Sequence, residues 1–400
     1  MALFNRADIL LPKNSDMSRW SVVACDQYTS QPEYWKRTEE ITAGAPSTLN
    51  LVFPEAYLSE GSARIEKINA AMKEYLEKGI FKEYKNCLIY IERVVGGKVR
   101  QGVVGAVDLE EYDFKKGSKS KIRATEGTVL ERIPPRVEIR RDAPLELPHI
   151  MLLMDDKECN IIEPLILAEK TPLYDFNLMQ GGGHLSGWLL SDKTADSVLD
   201  GIEQLEKRAA DGLVFAVGDG NHSLATAKVC WEERKKTLSA EQQKTDPARF
   251  CLVELVNIHS EALVFEPIHR VVFDCNPKAL VSKLEKKYNA TNFDNGGQHI
   301  HYIFDECEGD LYIREAPSKL AVGTLQGFLD KEGVKVDYIH GASVCRELGS
   351  KHGNVGFLLP KPDKSDLFAS VIQDGALPRK TFSMGEANEK RYYAEAKRIK

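Results

Sequence analysis

The sequence has no Cys-x-x-Cys pair, no long apolar run, no Gly-Lys-Ser/Thr phosphate-loop ending and no excess of basic charge. Each absence excludes a class of function. The eight cysteines, at positions 25, 87, 159, 230, 251, 275, 307 and 345, stand far apart, so reduced thiols are expected and neither a disulfide framework nor a clustered zinc site. The nearest approach to a metal set is His299-x-His301 with Cys307 beyond it. Two histidines on one face of a half-exposed strand explain that pattern without a metal. A formal charge of -6, with Lys and Arg scattered among acids, leaves no basic face to grip a nucleic-acid backbone. No stretch approaches the roughly 18 apolar residues of a membrane span. The N-terminal run MALFNRADILLPKNSDMSRW lacks the apolar core of a signal peptide, so a cytoplasmic location is expected. Low-complexity tracts and internal repeats are also missing.

What is present is an ordinary globular composition, 42% hydrophobic and 28% charged, over 400 residues, which suits two or three structural units and an enclosed pocket. Apolar residues recur at helical spacing over 62–78, with Ile65, Ile68, Met72, Tyr75 and Leu76 on one stripe. Two β-rich runs, 86–95 and 98–109, are separated by Gly96-Gly97 and predict a hairpin. From 115 to 148 the chain is polar, Arg-rich and Pro-rich without clear periodicity, the pattern of a long functional loop. A strand over 149–154, a Gly181-Gly182-Gly183-His184 turn into a strand at 187–190, and a helix over 196–210 with Asp196 as its cap follow. Strands near 213–217, 252–258, 300–304, 310–313 and 355–359 alternate with helices over 223–236 and 278–288. This mixture of hairpins and crossovers predicts an α+β or mixed α/β fold and not a regular doubly wound sheet. The expected division is an N-terminal α/β region with the hairpin over 1–115, a catalytic core over 116–275 and a C-terminal α/β region over 276–400.

The sharpest local signal is an apolar strand running through Gly218-Asp219-Gly220-Asn221-His222-Ser223 straight into a helix. The first N–H groups of a helix lack internal partners and carry partial positive charge, so phosphates bind there readily. Gly220 lets the backbone approach closely, and replacing it with Val is expected to obstruct a phosphate while leaving the fold intact. Asn221, His222 and Ser223 can add side-chain donors, while Asp219 can hold a metal ion or accept a proton. Capping of the helix by Asp or Asn explains the same residues without a ligand. A second constellation, Thr125-Glu126-Gly127-Thr128 with Arg132 and Arg136, combines a base with cations, as phosphoryl transfer requires. A third is Asn257 with Pro267-Ile268-His269-Arg270, where an Arg can grip a carboxylate with two prongs or simply form a surface ion pair.

These segments occur in one order with Val23-Ala24-Cys25-Asp26-Gln27-Tyr28, Gly183-His184 followed by Trp188, and Pro378-Arg379-Lys380-Thr381-Phe382. The set resembles domain-of-unknown-function family 1015 over almost the whole chain. The central part of that family resembles the ParB/sulfiredoxin-like free-serine kinases, marked by a His-Glu loop and an Asp-Gly-His-His-Arg turn. The resemblance implies a ParB/sulfiredoxin-like core with added N- and C-terminal α/β elements, and phosphoryl transfer from ATP or ADP with Mg²⁺ to the hydroxyl of free L-serine. It also implies nucleotide phosphates at Gly220, Asn221, His222 and Ser223, with Thr128, Arg132 and Arg136 nearby, and Mg²⁺ at Asp219. Glu126 is then the base, and Trp188, His269 and Arg270 line the amino-acid side. The chain departs from the pattern at three positions: Thr125 replaces the His of the His-Glu pair, and in the turn Asn221 replaces the first His and Ser223 the final Arg. Arg132 or Arg136 is the candidate to restore that charge. A kinase or nucleotide hydrolase with another acceptor, and a non-catalytic nucleotide-sensing ParB-like module, are the alternatives. The expected partners are a nucleotide and a small amino acid, with no nucleic acid or membrane, and the sequence is compatible with a homo-oligomer.

Overall fold

A computed structural model describes residues 2–128, 130–378 and 380–400, and the side chains of Asp26 and Arg132 lie outside that description. The chain divides into two units. The first comprises Met1–Ala124, Thr128–Leu263 and Gly385–Lys400, and the second comprises Thr125–Gly127 and Val264–Met384. Boundaries expected at 115/116 and 275/276 therefore fall elsewhere. The physical reason is strand pairing: Lys98–Asp108 hydrogen-bonds to Phe250–Asn257 in register from Asp108 opposite Phe250 to Val103 opposite Leu255, which binds the N-terminal hairpin into the same sheet as the central strands.

In the first unit a mixed sheet runs in the order Lys170–Asn177, His184–Leu190, Ile89–Val95, Lys98–Asp108, Phe250–Asn257, Met151–Met154, Phe215–Asp219, Ile122–Ala124, Tyr112–Asp113. The expected hairpin is present as Ile89–Val95 and Lys98–Asp108, turning at Gly96 and Gly97 with φ of 59° and 75°. It begins after residue 86 because Asn86 has φ 45°, and the preceding strand Phe81–Cys87 pairs instead with Ala7–Pro12. The central strands bury Leu152, Met154, Phe215, Val217, Val253 and Leu255 in one core with Trp231 of the helix Asn221–Arg234. The helix expected over 196–210 starts earlier, at Asp192, because Ser191 caps it by accepting the Thr194 N–H, and Asp196 instead pairs with Arg6.

The stretch 115–148 is not one loop. It contains the strand Ile122–Ala124 and the helix Ile133–Arg141. Two prolines hid that helix from periodicity, yet Pro134 and Pro135 fall in its first turn, where the missing N–H groups have no intrahelical role. Ile133 and Val137 pack on Ala225 of the helix Asn221–Arg234.

The second unit is built on a sheet ordered Cys307–Ile313, Gln298–Phe304, Val355–Leu358, Phe265–Phe273, Lys335–His340, with Phe382–Met384 also on Phe265–Phe273. Helices Pro277–Tyr288 and Ala321–Glu332 bury Leu284, Leu325, Phe328 and Leu329. Among the described residues no helix is long and apolar enough to cross a membrane.

Candidate functional site

Asp219 is the last residue of the strand Phe215–Asp219, opposite Met151 on one side, while Val217 is opposite Ala124 on the other. A register shift between Val217 and Asp219 ends the ladder there. Gly220 follows with φ 80° and ψ 26° as the N-cap of Asn221–Arg234, and no side chain caps that helix. The expected explanation by an Asp or Asn cap is thereby removed: Asp219 Oδ1 accepts the N–H of its own neighbour Gly220 at 2.8 Å. The partly buried Asn221 keeps its Oδ1 out of solvent without a hydrogen-bond partner among the described residues, as does Thr128 its Oγ1.

The antiparallel register that sets Asp219 against Met151 brings the residues just before Met151 alongside the turn. His149 Nδ1 lies 2.7 Å from the Tyr393 hydroxyl, and the two rings meet edge to face at 5.3 Å. Lys390 Nζ is 3.2 Å from Asp219 Oδ2. Burial pushes the Asp219 carboxyl up, but Lys390, His149 and the Gly220 N–H together outweigh it and hold the group below the usual carboxylate range. Arg136 pairs with Glu55 and, with Arg391 and Lys390, adds to the burial that lowers the His149 imidazole. The site is thus a carboxylate, a half-buried imidazole, a buried phenol and cations grouped at an uncapped helix start.

Several expected residues sit differently. Both Asp219 oxygens are engaged, and no group of three or more His, Cys, Asp or Glu side chains among the described residues is arranged to hold a metal. In this arrangement Asp219 orients Lys390. Trp188 is separated from the Asp219 strand by four strands of the sheet, and its ring packs on Tyr90 at 5.6 Å. It does not line this turn. Asn257 is buried in the first unit, donating to Asp156 O and Glu163 Oε1, both at 2.9 Å.

His269 and Arg270 belong to the second unit, within the strand Phe265–Phe273. His269 Nδ1 accepts the Leu359 N–H at 3.1 Å, and burial lowers its pKa. Arg270 is fully buried, donating to Gln326 Oε1 at 2.8 Å, Ile268 O at 2.6 Å and Lys380 O at 3.0 Å. It is no surface ion pair. Burial brings its guanidinium down to about 10 against the opposing pull of Tyr338 and Glu126. Glu126, in the same unit, bridges in parallel to Leu377, whose N–H donates to Thr125 O at 2.7 Å. Asn221, His222 and Ser223 form the first turn of the helix, which starts two residues before the expected 223. The Arg132 side chain lies outside the described residues.

Sequence reasoning missed His149, Tyr393 and Lys390. In the sequence His149 only opens the apolar run of the strand expected over 149–154. The signal at the other end was Lys390-Arg391-Tyr392-Tyr393, an aromatic pair inside a charged tail, which solvated tails seldom carry.

Two predictions arise here. A Cβ at Gly220 would meet Ile150 Cα and Cγ1 at 3.0 Å, on a backbone of φ 80°. Gly220→Val is therefore expected to destabilise the protein by about 1–3 kcal/mol, contrary to the expectation of an intact fold. Thermal unfolding checks this, and an unchanged midpoint would contradict it. The second concerns pH. His149 and His269 both titrate below the ordinary 6.5 because burial disfavours their charged forms. The unfolded chain takes up these protons first, so their contribution is complete above pH 6.5 and is lost as pH falls from there toward the folded values. Urea unfolding should give lower stability at pH 5.5 than at 7.5, and His269→Gln should flatten that slope; equal stability at both pH values would count against it.

Comparison with known proteins gives one family. The model described as a protein of unknown function (DUF1015) matches residues 7–374. No curated protein matches. Among solved structures, SbnI with C-terminal truncation from Staphylococcus aureus is 12% identical, with 70% of this chain and 83% of that chain covered and a TM-score of 0.38. A free serine kinase in complex with AMP is 10% identical, covering 72% of this chain and 96% of that one at a TM-score of 0.37. A conserved hypothetical protein from Pyrococcus furiosus is 12% identical, with 73% and 93% covered and a TM-score of 0.33. Since the matched residues span nearly the whole sequence, the chain belongs to the DUF1015 family of proteins of unknown function.

Proposed function

We propose that the protein is a cytoplasmic nucleotide-dependent phosphotransferase, with a ParB/sulfiredoxin-like core, that phosphorylates free L-serine. The observation that carries this reading is the uncapped start of the helix Asn221–Arg234, with Lys390 at its threshold and the Asn221 Oδ1 without a hydrogen-bond partner among the described residues. Backbone N–H groups at such a start bind phosphate oxygens, and a carboxamide can turn either end toward a ligand. Arg136 supplies further positive charge, in place of the cation that Ser223 lacks. The motif Asp219-Gly220-Asn221-His222-Ser223 resembles the turn of the free-serine kinases and supports the choice of reaction.

In this scheme the terminal phosphoryl group of ATP or ADP passes to the serine Oγ. The bond from phosphorus to the bridging oxygen of the nucleotide breaks, the bond to serine Oγ forms, and Glu126 receives the hydroxyl proton. Glu126 takes the base role because it is the carboxylate of the Thr125-Glu126-Gly127-Thr128 segment, which resembles the His-Glu loop of the free-serine kinases. His269 and Arg270 act behind Glu126, with Arg270 as its electrostatic partner inside the second unit.

Phosphorus NMR tests the reaction. Incubation with Mg²⁺, ATP or ADP and a panel of amino acids and hydroxy acids is expected to give a new phosphomonoester with L-serine. Product from another alcohol alone would replace serine as the acceptor. Nucleotide binding without any product would favour the sensing module.

A further inference from the structure

We propose that Lys390 is the phosphate-binding cation of this site, delivered to it by the C-terminal segment; the assignment rests on the nucleotide reading above. Lys390 lies beyond residue 374, where the family match ends, and outside every motif that the sequence brought forward. Its ammonium is 3.2 Å from Asp219 Oδ2, and Asp219 immediately precedes the Gly220 cap. Neither Asn221 nor Ser223 carries a charge, so the first turn of the helix offers partial charges without a fixed cation.

The backbone around Lys390 is held with unusual investment. Arg93, fully buried, donates to Lys390 O at 3.2 Å and Asn388 O at 2.6 Å, and Arg100 donates to Glu389 O at 3.2 Å. Arg391 donates to Pro148 O at 3.0 Å, pairs with Glu254 Oε2 at 2.8 Å and reaches Glu395 Oε2 at 2.6 Å. Five buried charged groups thus fix residues 388–391, at a desolvation cost that a merely decorative tail has no reason to carry. The same segment supplies the Tyr393 hydroxyl to His149.

The chemistry of the contact suits a phosphate. An ammonium has three donors and no acceptor, so a phosphate oxygen can accept from the same group that Asp219 holds. Asp219 then keeps the lysine extended toward the helix start before a ligand arrives, which removes part of the ordering cost at binding. The anion recognised is the polyphosphate of a nucleotide, whose charge the partial charges of the helix start would not balance alone.

Calorimetric titration of the full chain with ATP and with adenosine tests the assignment, using wild type, Lys390→Met and Lys390→Arg. Lys390→Met is expected to lose roughly 10- to 100-fold in ATP affinity, the scale of one hydrogen bond to a charged group, with adenosine affinity changed by less than about twofold. Lys390→Arg, which keeps the charge, should recover most of the ATP affinity, and the melting temperature of each variant guards against unfolding. Unchanged ATP affinity in Lys390→Met would overturn the assignment, as would equal losses for ATP and adenosine. Wild-type protein that binds neither ATP nor ADP would instead overturn the nucleotide reading itself, and the assignment with it.

Discussion

Neutralising Glu126 as Gln is expected to lower turnover by about 100-fold or more while leaving nucleotide affinity nearly unchanged. Gln keeps the size and hydrogen-bonding ability of Glu but cannot take the serine proton, and general base catalysis is typically worth 10²–10⁴-fold. Affinity should survive because the proposed phosphate contacts, at the helix start and Lys390, are separate from this carboxylate. Arg270 sharpens the prediction: its pKa is lowered by burial and raised in part by Glu126, so the two charges sense each other within one unit. Removing the negative charge leaves a buried guanidinium with less compensation, which adds a modest stability loss. Steady-state kinetics and calorimetry separate these effects. Near-normal turnover in Glu126→Gln, in a folded protein, would remove Glu126 as the base.

A second large effect is expected from Glu254→Gln, by about 3–5 kcal/mol, because it leaves buried positive charge uncompensated. Glu254 is fully buried, with Oε1 3.3 Å from Arg100 Nε and Oε2 2.8 Å from Arg391 Nε. Both arginines also hold carbonyls at the base of the C-terminal segment, so the loss should concentrate there. Gly102 leaves the space: a Cβ at that position would lie 2.9 Å from Glu254 Oε1. The expected drop in melting temperature is on the order of 10 °C. Urea and thermal unfolding measure it, and a drop under about 2 °C would mean that water or a rearranged arginine compensates the charge.

Local features of the fold were legible wherever one segment decides its own structure. The hairpin at Gly96-Gly97 follows from two residues that accept positive φ, and the helix Gly61–Glu77 from a stripe that buries Ile68, Met72 and Tyr75. Strand order was not legible, because pairing partners are far apart in sequence and period-2 patterns do not name a neighbour. That is why Trp188 read as part of the site although four strands stand between it and Asp219. Within the candidate site, the turn carried its own signature of glycine and polar side chains at a strand-to-helix junction. Lys390 and Tyr393 carried none, since their role exists only once the C-terminal segment lies along residues 145–149. Arg270 showed the opposite failure: an exposed-looking residue type that the sheet buries completely and satisfies with carbonyls.

The central claim is that nucleotide phosphates seat on the N–H groups at the start of the helix Asn221–Arg234. Amide ¹H–¹⁵N chemical shifts of the full chain, followed while ADP is added, test it most directly. The account predicts the largest shifts at Gly220, Asn221, His222 and Ser223, with Lys390 moving at the same ADP concentrations and adenosine leaving these amides nearly unmoved. Saturable ADP binding that shifts amides elsewhere and leaves those of Gly220–Ser223 in place would contradict it.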